Sequence, residues 1–130
     1  TRLELRTRGG TSVRGDMVDA APEWVLVREP RGALVLIGKQ AMLWVHRTDP
    51  LTRPCSARQR RTLASVYRQW ARDRVEVRLL LADGSEITGR LSAAFADHLE
   101  VAGADQGIFS VPYEAVELAR RWSDQVAQVR

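Results

Sequence analysis

The stretch Val75–Arg120, VEVRLLLADGSEITGRLSAAFADHLEVAGADQGIFSVPYEAVELAR, decides how this chain is read. Shifted by 74 residues, and without a gap, it lies over Thr1–His46, TRLELRTRGGTSVRGDMVDAAPEWVLVREPRGALVLIGKQAMLWVH. Gly10 falls on Gly84, Gly15 on Gly89, Val27 on Val101 and Ala41 on Ala115. Apolar positions follow, among them Leu3/Val77, Leu5/Leu79, Val13/Ile87, Val25/Leu99 and Ile37/Val111. Paired glycines and apolar residues in one register mark an internal duplication.

Each copy carries the same local signals. Thr1–Arg8 alternates apolar and polar residues, the pattern of a half-buried strand, and Gly9-Gly10 then supplies a tight turn. Thr11–Ala21 is a longer strand, bent at Gly15. Trp24–Glu29 and Ala33–Ile37 follow as strands about a Pro30-Arg31-Gly32 turn. A one-turn break at Gly38–Gln40 precedes a fifth strand, Ala41–His46. The second copy repeats the plan, with Asp83-Gly84 as the turn and Pro112–Glu114 as the break. A bent five-strand unit of this length closes most readily as a small SH3-like barrel. The expected fold is therefore mainly β: two tandem five-stranded barrels, 1–47 and 75–120, joined by a linker, 48–74, that holds an α-helix, with a polar tail at 121–130.

Within the linker, Ser56 is placed to cap a helix over Ala57–Asp73. Leu63, Val66, Tyr67 and Trp70 recur at helical spacing as one apolar stripe. Arg58, Arg61, Arg68 and Arg72 fall on the opposite side, as amphipathicity requires, so their alignment argues exposure before it argues binding. The charge is uneven. Residues 1–47 carry eight basic and five acidic side chains, 48–74 seven and two, and 75–130 five and nine. The linker is the basic part and the second copy is acidic, while nineteen of the twenty basic residues are arginine and asparagine is absent. The single cysteine, Cys55, has no internal partner and points to a reducing, cytoplasmic setting. No apolar run reaches membrane-span length. Thr1 already stands inside a strand pattern, which suggests a longer parent chain.

A helix leading into five bent strands resembles the plan of the Sm/LSm proteins. The run Leu79-x-x-x-Asp83-Gly84-x-x-x-x-Gly89-x-Leu91, ending at Leu99-Glu100-Val101, is similar to the first Sm motif. The first copy matches it with Leu5, Gly10, Gly15, Met17 and Val25-Leu26-Val27. The second motif is closer to bacterial Hfq, whose Val-Tyr-Lys-His-Ala-Ile segment corresponds to Ile37-Gly38-Lys39-Gln40-Ala41-Met42 and to Val111-Pro112-Tyr113-Glu114-Ala115-Val116. The chain is also similar to paired-barrel proteins of actinobacteria. The resemblance implies two Sm-like barrels and a function in RNA binding. It implies Lys39 and Gln40 as the remnant of a base pocket. The loops that hold the base in the family read Ala20-Ala21-Pro22-Glu23 and Ala94-Phe95-Ala96-Asp97 here, leaving Phe95 as a stacking candidate.

Nothing points to catalysis, a metal or a cofactor. His46 and His98 have no carboxylate or cysteine at ligand spacing, and no nucleophile arrangement or glycine-rich phosphate loop is present. Ala41–Val45 is apolar throughout, so both faces of that strand need cover, and Leu43 and Trp44 are expected to be buried or to form an interface. The copies would satisfy each other within one chain, or several chains would close into a ring. Two functions follow. One is a non-catalytic Sm-like module binding nucleic acid, RNA above all, through Arg58, Arg61, Arg68, Arg72, Lys39, Gln40 and Phe95. The other is a protein-assembly module, associating with a partner or with itself, that kept the fold without the pocket. Neither needs a membrane or a small-molecule substrate.

Overall fold

Turn residues set the strand ends, and the computed structural model describes residues 2–47, 61–105 and 107–122. The first half holds β1 (Arg2–Thr7), β2 (Ser12–Ala21), β3 (Trp24–Arg28), β4 (Ala33–Gly38), a 3-10 turn at Lys39–Ala41 and β5 (Met42–Arg47). Then come α1 (Leu63–Arg72), β6 (Glu76–Leu81), β7 (Glu86–Ala94), β8 (His98–Ala102), β9 (Ile108–Pro112), a second 3-10 turn at Tyr113–Ala115 and β10 (Val116–Trp122). Gly10 and Gly84 take φ of 96° and 89° in the two hairpin turns, a conformation that a Cβ opposes.

Register repeats with the sequence. Leu3↔Gly15 recurs as Val77↔Gly89, Val25↔Ile37 as Leu99↔Val111, and Leu5↔Val45 as Leu79↔Ala119. The bulge after Met17 in β2 recurs after Leu91 in β7. Gly15 faces the Arg28 carbonyl so closely that a Cβ would collide with it, and Gly89 stands the same way against Ala102. The bend in each long strand thus rests on a missing side chain.

The strands form one open antiparallel sheet of ten, in the order β5-β1-β2-β3-β4-β10-β6-β7-β8-β9. Its halves meet where β4 pairs with β10, through Ala119↔Leu36, Arg120↔Val35, Arg121↔Leu34 and Trp122↔Ala33. Arg121 and Trp122 therefore continue β10, which corrects the expected start of the tail; residues 123–130 lie outside the described residues. Side chains cross the seam in both directions. Trp24 and Leu36 belong to the core of the second half, and Leu118 to that of the first.

The helix buries Val66, Tyr67 and Trp70 and packs on β7, with Leu63 half-buried. Its start corrects the expectation. Thr62 is the cap, its hydroxyl accepting the Ser65 N–H at 3.1 Å, whereas Ser56 lies outside the described residues. Arg61 is held out of the helix because its carbonyl accepts the Trp24 indole N–H at 2.7 Å. Among the described residues no helix is long and apolar enough to cross a membrane.

A second correction concerns β5. Of burial or an interface, burial within the chain is set aside: Leu43 and Trp44 are 57% and 41% exposed, because among the described residues β1 is the only strand beside them.

Candidate nucleic-acid interface

The β4–β10 seam has a groove at each end, and their charges differ. At the Gln40 end the backbone N–H of Lys39 donates to the Glu23 carbonyl at 2.8 Å, pinning the 3-10 turn to the β2–β3 loop. Arg8 Nε reaches the Gln40 carbonyl at 2.8 Å, and the Gln40 side-chain amide approaches the Tyr113 carbonyl at 3.4 Å across the seam. The hollow here, about 630 Å³, is lined by Gln40, Arg68 and Tyr113 but also by Glu23, Asp97 and Glu114. A smaller neighbouring hollow adds Arg8 and Lys39, so three acids face three bases.

Aromatic rings pack against one another at this end. Tyr113 stacks on Tyr67 at 5.4 Å between centroids, and Tyr67 meets Trp70 edge-on at 6.0 Å. Burial raises the Tyr113 phenol, against the lowering pull of Arg68, so the hydroxyl stays protonated and donates to the Phe95 carbonyl at 2.6 Å. The Phe95 ring is 45% exposed and stacks on His98 at 4.8 Å. A hydrogen bond from His98 holds the Asp97 carboxyl below its usual value, keeping that wall negative.

Of the residues singled out from the sequence, the fold brings Lys39, Gln40 and Arg68 together here. Arg72 is exposed at the far end of α1 and lines neither groove. Arg61 is exposed but precedes the helix, and Arg58 lies outside the described residues. Only Arg68 and Arg72 thus remain of the expected helical stripe among the described residues. Lys39 and Gln40 are exposed, as a binding role requires, but the acids around them offset their attraction for phosphate.

The other end, beside Ala33, is the basic one. Among the described residues a cleft of about 510 Å³ is lined by Arg14, Arg31, Arg78 and Arg120, with Glu29 as its one acid and Trp122 as its aromatic wall. Its size lies within the roughly 300–1,000 Å³ of small-ligand sites. Arg120 and Arg78 are direct cross-strand partners, an arrangement that like charges oppose. Glu29 relieves it by a two-pronged contact with Arg120, at 3.0 and 3.2 Å, in a partly buried setting. Arg78 instead lies 5.3 Å from the centroid of the Trp122 ring, a cation–π contact. Arg14 pairs with Glu4 at 3.2 Å on the open surface. Arg31 and Arg78 have no carboxylate partner among the described residues.

Charge counting by segment hid this cleft, because Arg78 and Arg120 lie in the acidic copy. A signal was present in the duplication. Where the copies differ, Arg78 stands opposite Glu4, Arg120 opposite His46 and Arg31 opposite Asp105. A planar guanidinium presents a fork that matches phosphate oxygens, and an indole face accepts a base. Among the described residues no cluster of His, Cys, Asp and Glu is arranged to hold a metal ion. No known family model matches the chain, and no curated protein matches it.

Proposed function

We propose that the chain is a non-catalytic module of two fused Sm-like barrels that binds single-stranded RNA in the arginine cleft at the Ala33 end of the seam. The barrel reading is supported by the five-strand plan repeated in identical register and by the glycine-dependent bend of each long strand. The binding reading rests on one observation: among the described residues, four arginines and one acid, Glu29, line a cleft whose wall is the partly exposed Trp122. Arg31 and Arg78 are its phosphate contacts, and Trp122, 39% exposed, is its stacking platform. The helix face is secondary, since Arg68 looks into a groove whose acids balance it.

Fluorescence anisotropy with labelled single-stranded RNA over a salt series tests this. Replacing Arg31 and Arg78 with Gln is expected to flatten the slope of log K against log salt by about 0.7 per lost contact. Both side chains face solvent, so the melting temperature should hold. Replacing Arg68 and Arg72 instead should leave the slope nearly unchanged. An intact slope in the cleft variant rejects the cleft, and absence of binding in the parent protein favours the assembly reading. That second reading has its own observation, the apolar residues open at both sheet edges.

A further inference from the structure

Charge in the arginine cleft is partly spent within the chain. Arg120 is matched by Glu29 and Arg14 by Glu4. Arg31 and Arg78 have no carboxylate partner among the described residues, and both side chains are exposed. The cleft thus offers two unmatched positive charges.

Arg31 is presented by a closed turn. Pro30 presets the bend, the Gly32 N–H donates to the Glu29 carbonyl, and the Glu29 N–H donates to the Ala33 carbonyl, both at 2.8 Å. Ala33 is in turn the cross-strand partner of Trp122, so the turn is tied to the aromatic wall. That wall is limited. Trp122 is the one aromatic residue lining the cleft among the described residues, and Arg78 sits 5.3 Å from its ring centroid, leaving at most one face for a stacked base. Duplication has not copied the arrangement: Asp105 stands where Arg31 does, and the hollow beside Gly103 is lined by Glu76, Thr88 and Arg90.

Two unmatched guanidinium groups and one base platform describe a ligand. An internal nucleotide brings a phosphodiester with one negative charge and a neighbouring base on each side. A phosphomonoester carries close to two negative charges above its second pKa of about 6, and a terminal nucleotide presents a base with only one neighbour. We infer that the cleft takes a single nucleotide bearing a terminal phosphomonoester, with the dianion held by Arg31 and Arg78 and the base laid on Trp122. The inference rests on the cleft reading above and narrows its ligand. Phosphorylated RNA ends and free nucleoside monophosphates share this chemistry.

Fluorescence anisotropy separates the cases, using the intact chain and one internally labelled RNA with a 5′-phosphate, a 3′-phosphate or hydroxyls at both ends. At a pH of about 7.5, a phosphorylated end should bind about tenfold more tightly than the hydroxyl form. The advantage should fade as pH falls from about 7 to about 5, because the phosphate gains a proton while the arginines keep theirs. The charged groups facing the ligand are Arg14 from β2, Glu29 and Arg31 from the β3–β4 turn, Arg78 from β6 and Arg120 from β10. Any titration of Glu29 is common to all three RNA forms and cancels in the ratio of affinities. Arg31→Gln with Arg78→Gln should abolish the advantage at an unchanged melting temperature. By calorimetry, adenosine 5′-monophosphate should bind about tenfold more tightly than ribose 5-phosphate, which has no base to stack. Equal binding of the three RNA forms overturns the inference and leaves RNA binding in the cleft standing. So does an advantage that persists in the double glutamine variant, or ribose 5-phosphate binding as well as the nucleotide. If no RNA form binds but adenosine 5′-monophosphate does, through Arg31 and Arg78, the inference holds for a free nucleotide and the RNA reading fails. Binding of neither overturns both.

Discussion

Tyr67 carries the seam's aromatic packing at the scale of a single residue. It is buried beneath Tyr113 and against Trp70, and burial raises its phenol well above the ordinary value near 10. The folded state therefore keeps a proton that the unfolded chain gives up more easily. Its contribution to stability is complete below the unfolded value and is lost as pH rises beyond it. Tyr113 is raised in the same direction, also chiefly by burial. We expect Tyr67→Phe to move the alkaline unfolding midpoint upward in a circular-dichroism titration. An unchanged midpoint would show that the phenol finds water in the folded state.

Among the elements, the helix ends in an unusual way. Arg74 takes a positive φ of 56°, with its N–H donating to the Ala71 carbonyl and that of Val75 to the Trp70 carbonyl, both at 3.1 Å. Glycine usually occupies this left-handed position, where a Cβ costs about 1–2 kcal/mol. Glycine's larger unfolded-state entropy returns about 0.5–1 kcal/mol of that. Arg74→Gly should therefore stabilise the protein by about 0.5–1 kcal/mol in urea denaturation. A loss would show that the Arg74 side chain holds a contact worth more than the strain. The strands make the complementary point. β5 and β10 are equivalent by sequence, yet only β10 is covered on both sides, which is why Leu118 is buried while Trp44 is open.

For the whole molecule, the seam interlocks two cores. Leu118 leaves the second half to pack with Leu5, Val35 and Ile37, while Trp24 and Leu36 pack with the helix and β6–β8. Exchange of this kind couples the halves, so urea unfolding should be a single transition seen equally by tryptophan fluorescence and circular dichroism. Leu118→Ala should cost about 2–5 kcal/mol and shift that transition as a unit. Two separated transitions, with only one displaced, would show halves that fold independently. The same seam gathers Arg14, Arg31, Arg78 and Arg120 from both halves, so neither half by itself contains the cleft.

Much of this was legible in the residues alone. The duplication, the strand positions, the bends at Gly15 and Gly89 and the apolar stripe of the helix are local patterns, governed by side-chain period and by where a Cβ fits. The start of the helix was less so, because the Trp24 contact that holds Arg61 outside it comes from a distant strand. Tertiary structure alone decided that β4 would meet β10, and with it that Leu43 and Trp44 lie open while Leu118 is closed. It alone decided that the basic cleft would form beside Ala33 rather than along the helix. The physical reason is one of range. Periodicity states which face of a strand seeks cover, but the burial of an edge and the convergence of charges depend on a neighbour many residues away.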